Sequence, residues 1–179
     1  MVNSDFYNWL TTVATSADFE TTVPLTETAK SQQKHLELAL RLVAYRRTPY
    51  SPSLDVNEYL DKAALRLAHL TPAERETEDA TIRRTMGVLA QALGADAFKR
   101  WDGGRHTGGF LISGFDAIAH GVASNIEAIR ALDTPTDWVR EKARGVWLEE
   151  AFRQNSGMGV RGTTRLSNLL PFGEQFFRP

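Results

Sequence analysis

The chain reads as all-α: a single multi-helix domain with irregular Gly/Arg-rich loops and a C-terminal tail folded back on the body. Three observations predict this class. Residues 36–45 hold eight apolar residues of ten, and the two charges, Glu37 and Arg41, stand one helical turn apart, where they can pair. Such a helix is apolar around most of its circumference and belongs inside a fold. Thr71-Pro72-Ala73-Glu74 combines an N-cap, a first-turn proline and a capping-box glutamate. Strand signals are few, and residues 109–112 are too short to carry a sheet.

The elements follow in order. Residues 5–14 place Phe6, Trp9, Leu10 and Val13 at spacings of three and four, an amphipathic helix. Residues 21–28 form a threonine-rich connection around Pro24, and the core helix spans 30–46. Pro49 and Pro52 break it. Asp55 opens a helix to about residue 69 with Val56, Leu60, Ala64 and Leu67 on one stripe. The capping box at Thr71 starts a helix to Leu93 whose stripe is Ile82, Met86, Leu89 and Leu93, and Gly94 stops it.

Ser113 is expected to cap a helix over 114–131, with Phe115, Ile118, Val122, Ile126 and Ile129 facing the core and Asp116 complementing the dipole at its start. Thr134-Pro135 leads into a helix over 138–154 with Trp138, Val139, Val146, Trp147 and Phe152 inward. Residues 157–165 form a flexible basic loop closed by a capping threonine before Arg165. The tail that follows carries Leu169, Leu170, Phe172, Phe176 and Phe177, so it must fold back onto the domain or onto a partner. The parts are an N-terminal helix and connector (1–27), a helical core (28–154) and a basic, aromatic tail (155–179).

Composition narrows the function classes. A chain of 179 residues can bury a sizeable core, and with no cysteine it has no disulfide, thiolate metal site or cysteine nucleophile. No run of about 18 apolar residues occurs and the N-terminus lacks a secretory pattern, so a cytoplasmic protein off the membrane is expected. The net charge of -1 creates no global field for nucleic acid, although Arg153, Arg161, Arg165 and Arg178 face only Glu174 in the last segment.

No complete catalytic signature is present. In Gly103-Gly104-Arg105-His106-Thr107-Gly108-Gly109, backbone N–H groups and Arg105 could cradle an anion, with His106 as an exposed base or phosphate contact. The plainer reading is a glycine-dependent turn between helices. Arg161 and Arg165, in the second Gly/Arg loop, are expected to converge on Arg105, so the candidate anion-binding set is Arg105, His106, Arg161 and Arg165. The four histidines lack metal-ligand spacing, and His35, His69 and His120 read as ordinary surface or core residues; no metal or cofactor is expected. Glu149-Glu150 and the stretch Glu76 to Asp79 read as solvated faces.

The order of segments also carries a resemblance. The helix Glu37 to Ala44, Glu58-Tyr59-Leu60-Asp61 after a proline loop, Ala97-Phe98, Phe115-Asp116-Ala117-Ile118, the arginine-containing tail and the opening Phe6-Tyr7-Asn8-Trp9-Leu10 together resemble the C-terminal helical half of GmrSD-type restriction proteins. In that family the N-terminal half is similar to ParB and sulfiredoxin folds, carries a nucleotide-binding Gln-Arg motif and serves NTP-dependent defence against phage DNA with modified bases. The resemblance implies that this chain is the detached helical half, a non-catalytic module that packs on a ParB-like chain and helps present nucleic acid to it. Two other classes are open. One is a stand-alone enzyme using Arg105, His106, Arg161 and Arg165 on a phosphorylated or nucleic-acid substrate; the other is a DNA-binding regulator.

Overall fold

The computed structural model describes residues 4–179, and the fold is all-α with one two-residue hairpin. The helices are α1 (Ser4–Ala14), α2 (Ala17–Thr22), α3 (Glu27–Ser31), α4 (Lys34–Arg47), α5 (Val56–Leu67) and α6 (Pro72–Leu93). A 3-10 turn (Gly94–Asp96) leads to the antiparallel strands β1 (Arg100–Trp101) and β2 (His106–Thr107), in register Arg100 to Thr107 and Trp101 to His106. Next come α7 (Ile112–Gly114), a π-helical segment (Phe115–Ala119), α8 (His120–Arg130), α9 (Pro135–Val146), α10 (Glu150–Ser156) and α11 (Gly162–Phe176).

α4 lies at the centre. Its Leu38, Ala39, Leu42, Val43 and Ala44 are fully enclosed, and α1, α5 and α8 pack around it. The expected inward stripes of α6 and α8 are buried, apart from the half-buried Leu93. α11 lies across α8 and the π segment with its Leu166 and Leu169, while the following Phe177 is also fully buried. The crossing is a backbone contact. A Cβ at Gly121 would stand 2.5 Å from the Gly173 carbonyl oxygen, and one at Gly173 would strike the Ala117 carbonyl. Glycine at both positions is what lets α11 seat.

Capping chemistry sets the helix starts that the sequence marks. Asp55 accepts from the Glu58 N–H at 2.8 Å, and Thr71 and Glu74 close a reciprocal capping box. Gly94 takes positive φ after α6.

Several boundaries differ from expectation. The threonine-rich connection is interrupted by helix at both ends: α2 reaches Thr22 and α3 opens at Glu27, capped by Thr26, whose hydroxyl accepts from the Ala29 N–H. Phe19 of α2, buried against α6, supplies the tertiary contact that local composition does not advertise. The core helix does not run unbroken from Lys30, because Gln33 adopts φ 57 between α3 and α4. The helix expected over 138–154 breaks after Val146 and restarts at Glu150, so that Trp147 and Phe152 meet edge to face at 5.0 Å. Ser113 lies inside α7 rather than at its cap, which is Leu111. Helix α11 opens at Gly162 with Arg161 at the cap, leaving Thr163 and Thr164 in its first turn. Glu78 is not on a solvated face: it is 3% exposed, bonded by Arg46 at 2.9 Å and paired with Arg47.

Candidate functional site

The most concentrated chemistry lies where α4, the π segment and α11 meet. Glu37, Arg41 and Tyr45 stand four residues apart on α4 and line one stripe of it. Arg41 Nε donates to Glu37 Oε1 at 2.9 Å, and Arg41 Nη1 donates to the Tyr45 hydroxyl at 2.9 Å. Tyr45 in turn donates to Asp116 Oδ1 at 2.8 Å. From the opposite side Arg165, in the first turns of α11, donates through Nε to Asp116 Oδ2 at 3.2 Å.

Asp116 is completely enclosed, so its charge needs compensation from protein groups. Burial pushes its carboxyl above the usual carboxylate range, opposed by the Arg41 and Arg165 guanidiniums and by the Tyr45 hydroxyl. Burial alone would lower Arg41, but Tyr45, Asp116 and Glu37 outweigh it and hold the guanidinium above its ordinary value. The Tyr45 hydroxyl is pushed well above its ordinary range, first by burial and then by the Asp116 charge. Each carboxylate is met by two basic side chains, Asp116 by Arg41 and Arg165 and Glu37 by Lys34 and Arg41, the kind of compensation under which buried ions are tolerated.

Tyr45 links this network to a second pair. Its ring meets His120 edge to face at 5.8 Å, and His120 Nε2 donates to Glu174 Oε1 of α11 at 2.8 Å. That hydrogen bond, with burial opposing it, keeps Glu174 below its ordinary value. His120 is 2% exposed, and its Nδ1 has no hydrogen-bond partner among the described residues. Above the pair is a cleft of about 320 Å³ lined by residues including Tyr45, Tyr50, His120, Ser167, Pro171 and Glu174.

The four residues singled out from sequence are distributed differently. Arg105 is 83% exposed on the hairpin turn and stands 3.7 Å from Asp102. The Gly104 and Arg105 N–H groups, which an anion would need, already donate to Asp102 Oδ1 at 2.9 and 2.8 Å. The loop is a β-hairpin rather than a helix-to-helix turn, with its two strands packing Trp101 against His106 at 4.8 Å. Arg144 of α9 stacks on the same Trp101 ring at 4.5 Å. Arg161 is exposed at the cap of α11. Arg165 is engaged by Asp116, Arg105 by Asp102, and the two share no partner.

Asp116, Tyr45, His120 and Glu174 were absent from the sequence-derived set. Asp116, read as a dipole-complementing residue, is instead the anion of an interior network. A signal for it exists: in residues 110–123 the ionisable groups are Asp116 and His120 alone, one helical turn apart in a stretch otherwise dominated by apolar and small residues. A segment buried on all sides must bury them too. Among the described residues no cluster of three or more His, Asp or Glu side chains is placed to hold a metal ion, and no helix is long and apolar enough to cross a membrane. The chain matches no protein-family model, no curated protein and no solved structure.

Proposed function

We propose that this chain is a non-catalytic helical interaction module that packs on a ParB-like, NTP-dependent chain, as in GmrSD-type restriction and phage defence, and helps present nucleic acid to it. The observation that carries this reading is that the two buried carboxylates, Asp116 and Glu78, are both occupied by side chains of neighbouring helices. Asp116 is bonded by Tyr45 and Arg165, and Glu78 by Arg46. A reacting group needs an accessible atom and a place for substrate beside it, whereas these groups brace helices. The stand-alone enzyme reading needs Arg165 for substrate, and Asp116 already holds it.

Exposed apolar side chains flanking α10 support docking. Leu148 is 58% exposed and Met158 fully so, at the two ends of α10, with Arg153 and Arg161 exposed in the same stretch. Large apolar side chains left in water in one segment suit a protein interface. Affinity purification of the chain from its native host, with mass spectrometry of what co-purifies, tests the proposal. Recovery of a ParB-like polypeptide in fixed proportion, reduced by Leu148→Asp with Met158→Asp, is the expected result. A monodisperse chain recovered alone would overturn it.

A further inference from the structure

We propose that the cleft between the 49–52 loop, α8 and α11 is a binding site for a cationic, donor-rich group, the guanidinium of an arginine side chain presented by a partner polypeptide.

Three features of the lining select that chemistry. Glu174 is its sole formally charged carboxylate, and no lysine or arginine lines the cleft. Its side chain is 52% exposed; Oε1 accepts from His120, and Oε2 accepts no hydrogen bond among the described residues. The carboxylate, which also feels the charge of Arg178, therefore offers one oxygen to an incoming donor.

The second feature is a backbone acceptor. Pro171 lies inside α11 and has no N–H, so the Ser167 carbonyl one turn earlier lacks its usual helical donor. Both residues line the cleft. A carboxylate oxygen and a main-chain carbonyl together favour a ligand with several N–H donors, and a guanidinium carries five.

The third feature is the aromatic wall. The Tyr45 and Tyr50 hydroxyls are already committed, to Asp116 and to the Leu54 carbonyl. Tyr45 is buried beneath with its ring stacked on Tyr59, so the half-buried Tyr50 is what leaves ring surface to the cleft, on which a planar cation stacks. Buried directly beneath is His120, whose unpartnered Nδ1 marks an interior polar group still lacking a hydrogen-bond partner.

A nucleotide fits less well. Its base could stack on tyrosine, but its phosphates would meet the Glu174 carboxylate with no basic side chain in the lining to compensate. The inference does not depend on the partner being ParB-like, because the probe is a small molecule.

The test is titration of the whole chain with N-acetyl-arginine amide, followed by the backbone amide resonances of Tyr50, Ser167 and Glu174. Saturable shifts at these residues are expected, with affinity about ten-fold weaker in Glu174→Gln, the loss expected for a charge-assisted hydrogen bond. N-acetyl-citrulline amide, isosteric and uncharged, is expected to bind as weakly to the unaltered chain. Should Glu174→Gln fail to fold, Tyr50→Leu keeps the carboxylate and removes a wall, and weaker binding is again expected. Absence of saturable shifts, or equal affinity for the arginine and citrulline probes, would overturn the proposal. Adenosine perturbing the same three resonances more strongly than the arginine probe would overturn the ligand class. Each of these outcomes leaves the co-purification result untouched, so failure of this site and failure of the proposed function are distinguishable.

Discussion

Arg165 and Arg105 are the same side chain in two settings. Arg165 is 20% exposed and reaches from α11 to a carboxylate with no solvent access, on a segment 49 residues away in the chain. Arg105 is 83% exposed and stands beside Asp102, three residues before it. The Coulomb attraction at the hairpin is screened by water, and holding two mobile side chains together costs entropy, so the pair contributes little. At Asp116 there is no water to replace a lost partner. An ion pair of this second kind becomes a condition of the fold, because removing one member leaves the others charged and enclosed.

That contrast can be broken most forcefully at Asp116. Asp116→Ala leaves Arg41 and Arg165 without their shared anion and is expected to cost about 3–5 kcal/mol in urea unfolding. A loss under about 1 kcal/mol, the range of exposed pairs, would erase the distinction between the two regions.

The seating of α11 comes next, because the network depends on it. Gly173→Ala drives a methyl group into the Ala117 carbonyl and is expected to cost about 1–3 kcal/mol, read as a lower urea midpoint. A midpoint equal to that of the parent chain would show that α11 can shift without disturbing Asp116.

Acid sharpens the comparison further. Burial alone would raise Glu37, but Lys34 and Arg41 outweigh it and hold the carboxyl below its ordinary value of 4.5. A depressed folded-state value means that the unfolded chain binds more protons. The contribution of Glu37 is therefore complete above pH 4.5 and is lost as pH falls below it, through the depressed folded-state value. Unfolding midpoints collected from pH 7 downward are expected to fall less steeply in Glu37→Gln than in the parent chain. Asp102 is also held below its ordinary value, by the Arg105 and Gly104 N–H groups, but on the exposed hairpin turn. Asp102→Asn is expected to change the acid slope less than Glu37→Gln does, and the reverse order would contradict the assignment of weight to burial.

The smallest effect is expected at the hairpin cation. Arg105→Ala should stay within about 0.5 kcal/mol of the parent chain in the same unfolding assay. A larger loss would mean that the hairpin turn depends on more than the Asp102 carboxylate.

Much of the fold was legible because its signals are local. The capping box at Thr71, the cap at Asp55, the apolar run of α4 and the stripe Val122, Ile126, Ile129 of α8 each lie within a few turns of helix. What the pattern missed has a different origin. The break at Gln33 and the restart at Glu150 answer to packing against elements elsewhere in the chain. The candidate site was legible in one residue of the network, Arg165, and for a different reason from the one that makes it matter. Glycines and arginines in a loop suggest an anion from outside, whereas the anion Arg165 holds is Asp116, supplied from within.

Residue order alone gives the all-α class, the central helix, the starts of α5, α6 and α9 and the return of the aromatic tail, since helical periodicity and capping are properties of neighbouring residues. Only the tertiary structure decided that Tyr45, Asp116, Arg165, His120 and Glu174 form one connected set beneath a cleft. They stand on four elements between 45 and 174, and their distances depend on how closely α11 crosses α8. That approach is set by Gly121 and Gly173, two side chains that are absent, and an absence carries no pattern until both backbones are in place.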